Sequence, residues 1–284
     1  MRLANVSGRL VILTADDRGV DVAAASDGRF GPDPMSAYAD WDGFAAWASG
    51  LDLAAADGQV EFDRSDLGAP VPRPGQVLAI GLNYRAHAIE SGAQIPGRPV
   101  VFTKFVSSIT GPDTEVVLSD GDVDWEVELV VVVGREARNV SRADAWGYVA
   151  GLTVGNDVSD RARQFADPAG QWSMGKSFPG YGPTGPWLVT LDEVADPDDL
   201  RVVCEVDGAV VQDSRSSDLI FSVPELIEDL SAGLTLLPGD LIFTGTPSGV
   251  ALGRPDKPYL TPGQQVRTWI EGIGDLHQTF IARP

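Results

Sequence analysis

Apolar residues in this chain fall into short runs broken by Gly, Pro and Asp, the pattern of a strand-rich fold. Trp125 to Val133 is a Val-rich run closed by Gly134 and predicts a buried strand. Val149 to Val154 predicts a second, ending at Asn156-Asp157. Val77–Leu82, Val100–Lys104, Leu188–Thr190, Leu200–Val206 and Gly239–Thr244 predict further strands. Asp207-Gly208 marks a hairpin turn between Leu200–Val206 and Ala209–Gln212. Helical spacing appears over Ser36–Ala48, and Ser141 is a candidate N-cap for a helix through Tyr148. Ser222-Val223-Pro224-Glu225 predicts a capping box with Pro in the first turn, opening a helix to Gly233. Gln171–Trp187 is rich in Gly and Pro and predicts a structured loop. Gly263–Phe280 closes the sequence with alternating strands.

Pro70, Pro72 and Pro74 punctuate the chain. They divide it into a small N-terminal α+β unit, residues 1–72, and a larger unit, residues 73–284. At 284 residues the chain is long enough for a large core. The expected class is mixed α+β and β-rich.

Alternation along the Trp125–Val133 strand places Glu126 and Glu128 on one face. Two adjacent carboxylates on a buried strand would repel each other, and burial adds to the cost. Asp157 brings a third carboxylate to the end of the next strand. Oxygen donors of this kind suit a hard divalent cation such as Mg2+, Mn2+ or Ca2+. The other reading of Glu-x-Glu is an ordinary solvated strand face, which the flanking Val and Leu residues argue against. His87 and Glu90, three apart, would be neighbours on a helix, and a carboxylate-held His makes a general base. The same spacing also suits a solvent-facing His beside a Glu. The second histidine, His277, lies in an alternating segment and reads as structural or superficial. Lys176 is either a surface lysine or, in a carboxylate-rich pocket, a charge-balancing donor. The Gly245–Val250 loop offers N–H groups and the Thr246 hydroxyl to a carboxylate. Asp160, Arg161, Arg163 and Gln164 follow directly on the third carboxylate.

Composition narrows the partners. The formal net charge of −20 opposes non-specific binding to nucleic acid or anionic membrane. No apolar run approaches the roughly 20 residues that span a bilayer, and no signal-peptide pattern opens the sequence. The single cysteine, Cys204, sits in an apolar run, excludes an internal disulfide and fits a reducing cytoplasm.

Six segments in order, GLNYRAHAIE, FTKFVSSITGP, DWEVELVVVVG, GNDVSDRARQ, Lys176-Ser177-Phe178 and GDLIFTGTPSGV, make residues 75–284 resemble the fumarylacetoacetate hydrolase family. The resemblance is greatest to its acylpyruvase-like, bacterial diketo-acid branch. It implies a β-roll or barrel-like catalytic domain, with residues 1–72 as the variable N-terminal domain of many relatives. It implies Mg2+ or Mn2+ held by Glu126, Glu128 and Asp157, with Lys176 beside the metal. Thr246, with Tyr84, Arg161 and Gln164, would contact substrate. His87 and Glu90 would sit on a mobile lid, about Tyr84 to Gly97, and activate water.

The implied reaction is hydrolysis of a C–C bond in a 2,4-dioxo acid such as an acylpyruvate, through a metal-stabilised enolate. The alternatives are a dienedioate isomerase or an oxaloacetate decarboxylase, or a non-catalytic metal-binding protein. The eponymous hydrolases carry a further Asp ligand upstream of the histidine, and Gly81–Ala86 here holds no carboxylate. A smaller dioxo acid than fumarylacetoacetate is therefore expected. The expected partner is a small oxo acid, and the expected assembly a cytoplasmic homodimer.

Overall fold

A computed structural model describes residues 1–283. The chain is mixed and sheet-rich, built on two main sheets. Along the larger one the strands run Gln59–Glu61, Arg18–Asp21, Arg9–Ala15, Arg2–Val6, Gly182–Val189, Val149–Asn156, Val127–Val133, Leu241–Phe243, Val77–Gly81 and Val100–Thr103. The second sheet orders Ala209–Arg215, Arg201–Val206, Gln265–Ile270, Gly274–Ile281 and Asp113–Val117. Among the described residues the large sheet does not close on itself, so the barrel-like expectation gives way to an open roll.

The Val127–Val133 strand lies inside the large sheet with every residue buried. Its partners are Val149–Asn156 on one side and Leu241–Phe243 on the other, both antiparallel. Buried on both faces, it reads as a continuous Val run rather than an alternation. The register sets Val127 opposite Asn156, so Glu126 and Asp157 meet at the open end of this pair, where the Asp157 N–H donates to the Glu126 carbonyl at 2.8 Å.

The N-terminal strands continue the large sheet. Arg2–Val6 pairs with Gly182–Val189, with Leu3 opposite Leu188. The apolar cluster around Leu3, Ile12, Phe30 and Phe44 also takes in Val77, Val130, Val132 and Leu241 from the rest of the chain. The proline-rich segment at residues 70–74 thus links two parts that share one sheet and contribute to the same apolar cluster.

Three local expectations change. Residues 182–187, expected as loop, belong to a fully buried strand, Gly182–Val189. Pro183 and Pro186 hid it, because a proline cannot donate to a ladder; the pairing with Val149–Asn156 is irregular there, between Leu152 and Val154. The Ser36–Ala48 helix is two helices, Ser36–Ala39 and Trp41–Ser49, because Asp40 leaves the helical backbone and caps the second through Gly43 N–H. The segment after Ser141 is a 3-10 helix, Arg142–Tyr148. The capping box at Ser222 and Glu225 forms as expected. Cys204 is buried in the core, and His277 is exposed against Asp275. Among the described residues no helix is long and apolar enough to cross a membrane.

Candidate metal and active site

Glu126, Glu128 and Asp157 converge at the open end of the central strand pair. One oxygen from each lies within 4.8 Å of the others, and all three residues are buried. Their surroundings separate them. Glu126 receives Lys176 Nζ at 2.7 Å and an Arg161 guanidinium nitrogen at 2.7 Å. Burial alone would raise its pKa, but Lys176 and Arg161 outweigh burial and hold it at about 2. Among the described residues, Glu128 has only the Gly245 N–H, at 2.8 Å, as a donor. Burial, then the charges of Asp157 and Glu126, push its carboxyl well above the usual range. Asp157 lies between two lysines, with Lys176 Nζ at 2.6 Å on one oxygen and Lys104 Nζ at 2.6 Å on the other.

A hard cation fits this cluster. The donors are all oxygens, close enough to share one ion, and even with Lys104, Lys176 and Arg161 paired to Glu126 and Asp157, burial and the charges of those two carboxylates push the Glu128 carboxyl upward. Glu126, Glu128 and Asp157 would hold the ion, with Lys176 offsetting their charge.

Lys104 was missed. Its place at the end of the Val100–Lys104 run marked it only as a strand terminus. In the structure it is fully buried, donates to the Lys176 carbonyl as well as to Asp157, and burial lowers its pKa. Asp124 was missed too. It is wholly buried, accepts from the Ala251 and Leu252 N–H groups at 2.8 and 3.0 Å, and pairs with Arg161 at 2.8 Å. The sequence offered one signal, a second Asp-x-Glu spacing overlapping Glu-x-Glu.

A cavity of about 200 Å3 opens beside the cluster, lined in part by Glu126, Arg161, Gln164, Lys176, Thr246 and His87. His87 lies on the helix Arg85–Glu90, and its Nδ1 is 3.0 Å from Glu90 Oε1. Both Glu90 oxygens accept from the Gly249 N–H, at 3.0 and 3.1 Å. With Nδ1–H donated to Glu90, the Nε2 of His87 carries the lone pair. Lys176 is held charged: burial would lower its pKa, but Asp157 and Glu126 raise it. Gln164 accepts from Arg161 at 2.9 Å, leaving its amide NH2 as the group it can offer.

Two expected contacts are placed differently. Thr246 lines the cavity, yet its hydroxyl already donates to the Val127 carbonyl and accepts from Gln212, at 2.9 and 2.8 Å. Tyr84 is not among the lining residues. It precedes the Arg85–Glu90 helix with its backbone bridged to Leu219 and its ring buried, and its hydroxyl has no hydrogen-bond partner among the described residues.

The family model for the fumarylacetoacetate hydrolase C-terminal domain matches residues 76–281. The chain belongs to the fumarylacetoacetate hydrolase family. A crystal structure from Mycobacterium smegmatis, provisionally described as HpcE, is 52% identical over the whole of both chains, with a TM-score of 0.94. A 5-carboxymethyl-2-hydroxymuconate delta-isomerase from Mycobacterium smegmatis is 32% identical, also over the whole of both, with a TM-score of 0.78. Maleylpyruvate hydrolase from Sphingobium sp. SYK-6, solved with manganese(II) and pyruvate, is 29% identical over the whole of both, with a TM-score of 0.81. The family thus contains both hydrolases and isomerases.

Proposed function

We propose that this protein is a metal-dependent hydrolase of C–C bonds in ketonic substances, cleaving a 2,4-dioxo acid such as an acylpyruvate. The observation that carries the reading is that His87, braced by Glu90, opens onto the same cavity as Glu126 and Lys176. An isomerase needs no activated water, whereas hydrolysis does. The manganese(II) and pyruvate of the Sphingobium hydrolase crystal give the reading further support.

Glu126, Glu128 and Asp157 would hold Mg2+ or Mn2+, with Ca2+ also compatible with the donors. When bound, the ion would supply Lewis-acid polarisation at the 2-oxo acid end of the substrate. His87 Nε2 takes a proton from water, and the oxygen bonds to the distal carbonyl carbon. As that carbonyl re-forms, the C–C bond breaks, and its electron pair goes to the carbon beside the 2-oxo group. That carbon takes back the proton that His87 removed from water, giving pyruvate and a carboxylic acid and returning the imidazole to its neutral form. Glu90 orients the ring and stabilises its charged form. Lys176, Arg161 and Gln164 orient the oxo acid, and Thr246, on the cavity wall, helps hold its carboxylate. The segment from about Tyr84 to Gly97 acts as the lid.

The same reading takes a small oxo acid as the partner and a cytoplasmic homodimer as the working form, and light scattering on the purified protein checks the dimer. The test of the reaction is turnover of a panel of 2,4-dioxo acids with Mg2+ or Mn2+. His87→Ala should cut hydrolysis by about 10²–10⁴-fold. Isomerisation or decarboxylation of a related oxo acid, with no dioxo acid cleaved, would install the alternative suggested by the isomerase relative.

A further inference from the structure

We infer that the cavity takes a monocarboxylate whose far end is uncharged and apolar, with Trp172 as the residue that sets this preference. The inference rests on the site binding a 2-oxo acid, as proposed above, and adds the chemistry of the tail.

Six large apolar residues line the cavity alongside its polar groups: Ile80, Leu82, Phe102, Phe165, Trp172 and Leu252. The aromatic wall begins at the metal cluster. The Phe102 ring lies 5.1 Å from Lys176 Nζ and meets Trp172 edge-on, with centroids 5.5 Å apart. Trp172 lies against the backbone of Gly81, where a Cβ would collide with the indole, so only glycine admits the ring at this depth. Phe165, half exposed, carries the apolar lining outward.

Charge points the same way. Two cations, Arg161 and Lys176, line the cavity, and each is already paired: Arg161 with Asp124 and Glu126, Lys176 with Glu126 and Asp157. His87 is held by Glu90. Arg254, two residues past Leu252, donates to the Gly249 and Val211 carbonyls. Around the cluster stand four carboxylates, Asp124, Glu126, Glu128 and Asp157, against Lys104, Lys176 and Arg161. A second carboxylate at the tail would be desolvated against aromatic rings, and among the described lining residues the cations are already paired. An apolar tail gains about fourfold in binding for each buried CH2.

The test is calorimetric binding of saturated 2-oxo acids, which offer no dioxo bond to cleave, to the Mn2+-loaded protein. 2-Oxohexanoate and 2-oxoadipate have the same chain length and differ by the terminal carboxylate. 2-Oxohexanoate should bind at least about tenfold tighter, and 2-oxo-4-phenylbutanoate tighter still. Trp172→Ala should weaken the phenyl compound about tenfold or more and leave pyruvate within about twofold, and Trp172→Phe should restore most of the loss. Equal or tighter binding of 2-oxoadipate overturns the inference, as does a Trp172→Ala loss as large for pyruvate as for the phenyl compound. Because no turnover is read, the tail preference can hold or fail whether or not the protein proves to be a hydrolase.

Discussion

Replacing Lys104 with methionine removes a cation that has no contact with water. The side chains of Lys104 and Asp157 are both fully buried, with Nζ 2.6 Å from Oδ1. Removing one member of such a pair typically costs about 3–5 kcal/mol, because the other charge stays buried without its partner. Asp157 keeps Lys176 on its second oxygen at 2.6 Å, which holds the cost near the lower end, about 3 kcal/mol. Methionine fills most of the volume, so the cavity contribution is small. At roughly 2–4 °C per kcal/mol for chains somewhat shorter than this one, the melting temperature of metal-free protein should fall by about 6–12 °C. Mn2+ should recover much of this, since the bared Asp157 oxygen is better placed to meet a cation, and ligand at 100 times its Kd adds about 2.7 kcal/mol. Thermal unfolding followed by circular dichroism, with chelator and with Mn2+, reads both arms. A shift under about 2 °C in chelator would refute the claim that Lys104 supports the carboxylate cluster.

Glu128→Ala should abolish Mn2+ binding by calorimetry while far-ultraviolet circular dichroism stays native; retained affinity would remove Glu128 from the ligand set. The metal-free protein should respond to pH in two opposite ways. Glu126, held at about 2, contributes stability that is present above the ordinary carboxylate value of 4.5 and is lost as pH falls toward 2. Glu128, raised, contributes stability that is full below 4.5 and is lost as pH rises through its elevated folded value. Urea unfolding across that upper window should show the decline in wild type and not in Glu128→Gln, and equal slopes in the two would contradict the assignment. Hydrogen exchange over residues 84–97 should slow when a substrate analogue binds with Mn2+; unchanged exchange would mean that the segment is no lid.

The carboxylate cluster was legible because its spacing is local. Glu126 and Glu128 are two apart, and Asp157 stands at the end of the next apolar run, so strand alternation and one hairpin-like pairing bring them together. His87 and Glu90 were legible for the same reason, being three apart on a short helix. Lys104 was not, because its partner lies 53 residues away and the local pattern around it is only that of a strand end. Nothing in the spacing of Asp124 says that it holds Arg161 on one side and the Ala251–Leu252 backbone on the other. Tyr84 shows the converse: only the family resemblance offered it as a substrate contact, and nothing in the local pattern says that its ring is buried. The boundary at residue 72 followed proline content, which records where the chain turns and not which sheet edge the preceding strands will join.

The pairing of Arg2–Val6 with Gly182–Val189 bears on how such proteins can be recombined. The family match begins at residue 76, so the first strands lie outside the segment that defines the family, yet they cover an edge of the sheet that carries the site. Exchanging this N-terminal part with that of a relative therefore transplants a strand register as well as an appendage. A chimera in which Leu3 does not face Leu188 would leave the ladder of Gly182–Val189 open two strands from Val127–Val133. An exposed strand edge of that kind invites pairing with another molecule. Modularity in this fold is set by sheet edges, and the linker sequence is a poor guide to where one part can be cut from another.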